Sequence, residues 1–183
     1  HKSISDYYRS DFSFAAGAFK FSVDRHPFYR FKSAYYYLVG GGMNSKDKKI
    51  GSLIHDSFPT FECFCNSVGS ESFMRIYNVC VHLRYQYKFL NLTDKPGSIA
   101  MTYVGRLENL QEFWDVVASQ VPLLPVRDPG VMNATQYSAP GAGESHGFEG
   151  KPLINFSRSG MEKVCDFYEK DMCLFSYNLL EIG

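Results

Sequence analysis

The chain has 183 residues, with 19 basic and 19 acidic side chains and no formal net charge. That balance argues against a dedicated nucleic-acid binder, which carries a basic excess, and no run of eighteen apolar residues is present to span a bilayer. With 45% hydrophobic and 21% charged residues, positions 1–183 read as one globular domain large enough to bury a core.

No secretory signal peptide is visible. The first residue is His1 and not Met, so the chain reads as a fragment or a processed form. Ser5–Gly17 is loop-like. Phe19, Phe21 and Val23 alternate with polar residues and predict a strand. A turn follows at Arg25-His26-Pro27, then a helix over Phe28–Leu38 with Pro27 in its first turn and Gly40-Gly41-Gly42 as its stop. Met43–Phe58, with Lys46, Lys48 and Lys49, reads as a polar loop and the lysines as a solvated face. Thr60 predicts an N-cap for a short helix to Val68. Ser72–Leu90 reads as helical, ended by Asn91 and the Asp94–Gly97 turn.

Ser98–Val104 is the second predicted strand, broken by Gly105. Leu107–Gln120 carries Leu107, Leu110, Phe113, Trp114 and Val117 at helical spacing. Pro122–Pro152 reads as a long irregular loop of the kind that often serves function. Ser159 caps a predicted last helix, Gly160–Phe175. Strands alternating with helices give an α/β class with a mostly parallel sheet.

Five cysteines, Cys63, Cys65, Cys80, Cys165 and Cys173, show no zinc-ligand spacing. They read as buried thiols, or as one or two disulfides if the protein is lumenal. No metal site is expected. Glycosylation sequons begin at Asn91, Asn133 and Asn155 and hint at a secretory-pathway protein.

Two residues stand out for chemistry. Arg25 falls at the carboxyl end of a strand, where open α/β sheets bind ligands. Ser33 follows eight residues later, inside the helix. A guanidinium fork and a hydroxyl so placed can grip a phosphate from two sides. The competing reading is a structural ion pair of Arg25 with Asp24 or Glu108.

The segment FSVDRHPFYRFKSAYYYL resembles the 3′-phosphate-binding segment of the Golgi-type carbohydrate sulfotransferases and their bacterial relatives. Val23-Asp24-Arg25 is one residue out of the family's V-R order, whereas Pro27, Arg30, Ser33 and Tyr35 fall in step with Arg25. Further similarities follow in family order: Thr60–Phe64, His82–Gln86, Tyr103–Leu110 and Tyr168–Tyr177. The resemblance implies a P-loop-type three-layer sandwich with a mostly parallel central sheet, incomplete at the N-terminus. It implies sulfuryl transfer from 3′-phosphoadenosine 5′-phosphosulfate (PAPS) to a carbohydrate hydroxyl, leaving the bisphosphate PAP.

On that resemblance Arg25 and Ser33 hold the 3′-phosphate; Arg106, beside the strand end at Gly105, is a better candidate nucleotide contact than Glu108. His1, 24 residues before Arg25, is the candidate general base, with His82 the alternative. The loop for the 5′-phosphosulfate has no counterpart here and is expected upstream. A membrane anchor, if any, belongs there too. The compartment follows the host: the Golgi lumen as a type II membrane protein in a eukaryote, the cytoplasm in a bacterium. The rival class is an inactive nucleotide- or glycan-binding domain of the same fold. A small-molecule kinase needs a G-x-x-x-x-G-K-[ST] loop and a magnesium-binding acid, and the sequence shows neither.

Overall fold

A computed structural model describes residues 18–90, 100–121 and 156–182. His1, the three sequon asparagines and the whole 122–152 segment lie outside the described residues. Strand β1 (Phe21–Asp24) pairs in parallel with β2 (Tyr103–Arg106), Phe21 opposite Tyr103 and Asp24 opposite Arg106. The parallel pair agrees with the α/β expectation. Among the described residues the sheet has two strands and not the wider three-layer sandwich. No helix there is long and apolar enough to cross a membrane.

Helix α1 (Pro27–Val39) starts where expected, and Gly40 ends it by donating its N–H to the Tyr36 carbonyl. Its sequence divides by helical period. Phe28, Phe31, Tyr35 and Leu38 are buried in the core, whereas Arg30, Ser33, Ala34 and Tyr37 form a second face along a cavity.

The expected loop at Met43–Phe58 is instead helix α2 (Ser45–Ser57). Asn44 caps it by accepting the Asp47 N–H, and Ile50, Gly51 and Ile54 bury a narrow stripe against α1. Lys46, Lys48 and Lys49 are exposed on its outer side. Gly51 is the contact point: a Cβ there would meet the Leu38 carbonyl oxygen at 2.0 Å.

Thr60 caps α3 (Phe61–Ser67) as expected, accepting the Cys63 N–H. The single helix expected over Ser72–Leu90 is broken into α4 (Glu71–Val79), a 3₁₀ turn at Val81–Leu83 and the short α5 (Tyr87–Leu90). Cys80 adopts an extended conformation between the first two. Gly105 does not break the second strand but lies within it. A Cβ there would fall 2.3 Å from the Phe113 ring, so glycine lets β2 and α6 (Leu110–Gln120) approach. Leu107–Asn109, expected as the first turn of that helix, is 3₁₀.

The last expected helix is two. Ser157, not Ser159, caps α7 (Arg158–Phe167), and α8 (Glu169–Leu174) follows after Tyr168. Tyr168 is 1% exposed and donates its hydroxyl to the Leu83 carbonyl, which fixes the offset between the two helices. Phe28, Phe31, Phe61, Phe64, Phe73 and Tyr168 form the centre of the core, with Phe31 and Phe64 stacked at 4.7 Å. Cys65, Cys80 and Cys165 are buried free thiols, and Cys63 and Cys173 are exposed ones. Burial pushes the Cys65 and Cys165 thiols up to about 12, where they are inert.

Candidate functional site

The cavity beside α1 has a volume of about 490 Å³ and opens where β1 ends. Arg25 and Ser33 both line it, together with Arg30, Tyr37, His82 and Gln86, and Phe89 and Leu90 supply an apolar wall. Among the described residues Arg25 forms no ion pair with Asp24 or Glu108, whose carboxyl groups turn to Tyr177 and the His26 N–H. Among the described residues the Arg25 guanidinium and the Ser33 hydroxyl have no hydrogen-bond partner.

The backbone of Arg25 is held from across the chain. Gln86 Oε1 accepts the Arg25 N–H at 3.0 Å, and Gln86 Nε2 donates to the Arg25 carbonyl at 2.7 Å. One side-chain amide thus pairs with Arg25 as a neighbouring strand would. Gln86 is in turn fixed by Asp171, which is fully buried on α8. Its carboxylate accepts the Gln86 N–H at 2.7 Å and the Tyr87 N–H at 2.9 Å. Burial raises the pKa of Asp171, and these two amide bonds and the nearby Arg30 oppose that shift.

His26 caps α1. Its Nδ1 accepts the Phe28 N–H, so Nε2 carries the proton and donates to the Asn178 carbonyl at 3.3 Å. The ring is 1% exposed, and burial pulls its pKa down, which keeps it neutral. Beneath this turn, Tyr177 Oη lies 3.2 Å from Asp24 Oδ1 and 3.1 Å from Glu108 Oε2. A phenol has one proton to donate, so two ionised carboxylates cannot both be served. Burial, with Glu108 adding, pushes Asp24 up to about 7 against the pull of Tyr177 and Arg106. Glu108 also accepts the His26 N–H at 2.9 Å.

Arg106, expected as a nucleotide contact, is committed elsewhere. Its guanidinium pairs with Glu181 at 3.0 Å, donates to the Phe175 and Ser176 carbonyls and stacks over the Tyr177 ring. It does not line the cavity, because the closing segment of the chain captures it. His82 does line the cavity, and its Nε2 lies 3.6 Å from Asp47 Oδ1. Asp47 is buried, and its other oxygen accepts from Tyr37 Oη at 2.8 Å and Asn44 Nδ2 at 2.7 Å. Sequence reading passed over Arg30 as a site residue, although its place three residues before Ser33 on a helix was a usable signal. No group of three or more His, Cys, Asp or Glu side chains able to hold a metal occurs among the described residues.

Comparison with protein-family models matches residues 3–178 to the sulfotransferase family. The chain belongs to that family. As a sulfotransferase-family member it is a transferase by descent, and its activity is sulfuryl transfer in the general sense. No curated protein and no solved structure matched it.

Proposed function

We propose that this sulfotransferase moves the sulfuryl group of PAPS to a hydroxyl of a carbohydrate acceptor. The observation that supports the reading is the convergence of Arg25 and Ser33 on one cavity, with neither side chain partnered among the described residues. A 3′-phosphate would meet a guanidinium fork from the strand end and a hydroxyl from the second turn of α1. The apolar wall of Phe89 and Leu90 suits the nucleoside. Arg106 has no part in this reading.

The reaction is an in-line displacement. The acceptor oxygen bonds to sulfur while the bond from sulfur to the 5′-phosphate oxygen breaks, PAP departs, and the acceptor proton passes to a base. Catalysis of this type is mostly positioning and charge stabilisation. The base falls to His1 or to His82, whose ring has Asp47 beside it. The phosphosulfate-binding loop is assigned to a preceding segment.

Titration calorimetry tests the assignment. Arg25→Ala weakens PAP binding by about 1.5–3 kcal/mol, the worth of a charged hydrogen bond, and leaves adenosine 5′-phosphate binding nearly unchanged. Ser33→Ala costs about 0.5–1.5 kcal/mol with the same selectivity. Equal losses for both nucleotides refute the reading. PAP binding without sulfuryl transfer to any sugar hydroxyl, in a chain that includes the preceding segment, makes this an inactive nucleotide-binding domain.

A further inference from the structure

Arg30 is the one cavity-lining arginine that the reading above leaves without a task. It belongs to the cavity face of α1, one turn before Ser33 and Ala34, while its neighbour Phe31 points into the core. Among the described residues its guanidinium makes no hydrogen bond, ion pair or ring contact. The carboxylate that attracts it, Asp171, is already engaged by the Gln86 and Tyr87 amides. Burial pulls the pKa of Arg30 down, the mark of a cation lacking full compensation. Arg30 is partly buried, and among the described residues its charge has only the attraction of Asp171 and no hydrogen-bonded partner, so a bound anion in the cavity would supply one.

We infer that Arg30 is the second guanidinium of the anion cradle and that it makes the cavity select a phosphate monoester dianion. The inference rests on the assignment of Arg25 and Ser33 to a 3′-phosphate. One arginine balances a single negative charge. Two guanidinium forks and a hydroxyl offer donors to all three terminal oxygens of a monoester and balance both its charges.

The test uses Arg30→Met, which keeps the apolar stem, and Arg30→Lys, which keeps the charge. Three ligands are titrated: PAP, adenosine 5′-phosphate, and PAP carrying a methyl ester on its 3′-phosphate, which has one charge fewer there. Wild type is expected to prefer PAP over the methyl ester. Arg30→Met is expected to lose about tenfold to a hundredfold in PAP affinity, the range for one charge-assisted hydrogen bond. It also abolishes the preference over the methyl ester and leaves adenosine 5′-phosphate unaffected. Arg30→Lys recovers part of the loss.

The melting temperature of the ligand-free protein separates a binding role from a structural one. It stays level or rises in Arg30→Met, because an uncompensated charge is gone. A clear fall in that temperature, or PAP affinity equal to wild type, overturns the inference alone. Failure of the wild type to prefer PAP over adenosine 5′-phosphate overturns the 3′-phosphate assignment, and this inference with it.

Discussion

Asp24→Asn is expected to stabilise the protein, and by an amount that depends on pH. Asp24 is 4% exposed, its Oδ2 has no hydrogen-bond partner, and Oδ1 faces a tyrosine hydroxyl shared with Glu108. Burial raises it from an ordinary 3.8 to about 7. The folded state therefore holds a proton that the unfolded chain gives up near pH 4. The stability tied to that proton is fully present below the unfolded value and is lost as pH rises through about 7. About three pH units at roughly 1.4 kcal/mol each put the loss at up to about 4 kcal/mol. Asparagine mimics the neutral acid: its amide can donate to Tyr177 Oη, whose own proton then serves Glu108. Urea unfolding of both proteins at pH 4, 5, 6, 7 and 8 reads the difference. Asp24→Asn should match wild type near pH 4, gain on it steadily to pH 7, and hold a constant advantage above. A stability difference that stays constant across that range refutes the shared-proton argument.

Three further outcomes follow from the packing around the cavity. Asp171→Ala leaves two amides without acceptors and should cost roughly 2–5 kcal/mol by chemical denaturation. Gln86→Ala removes both bonds to the Arg25 backbone; it should cost about 1–3 kcal/mol in stability and weaken PAP binding more than adenosine 5′-phosphate binding in calorimetry. Gly105→Ala drives a methyl group into the Phe113 ring and should lower stability by about 1–3 kcal/mol, seen as a reduced melting temperature.

That Arg25 and Ser33 share one cavity was legible in the sequence because the parts are local. Arg25, Pro27 and Ser33 lie within one strand-turn-helix unit, and both the start and the stop of α1 are written in its own residues. What was missed depends on distant groups. Helix α2 hid behind three lysines in its first turns, and its apolar stripe is only Ile50, Gly51 and Ile54. With α2 read as a loop, Asp47 could not be seen as the companion of His82. The break after Val79 has no proline or glycine to announce it. Part of the chain's path there is set by Asp171, which holds the amides at Gln86 and Tyr87 from 85 and 84 residues away. Arg106 was drawn toward the nucleotide by its place beside the second strand's end, but the acceptors that hold it come from Phe175, Ser176 and Glu181. Gly105 reads as a strand breaker until Phe113 is placed against it.

The grip of Gln86 on Arg25 spans 61 residues, and that of Asp171 on Gln86 a further 85. Each closes a long loop, so the entropy of bringing the ends together is spent before either bond forms. The helical hairpins can collapse on their aromatic side chains well before the pocket exists. During refolding, burial of Phe31 and Phe64 should therefore precede the assembly of the cavity wall at Arg25 and Gln86. A chain cut before α8 would keep much of its greasy centre and lose the means of setting its arginine.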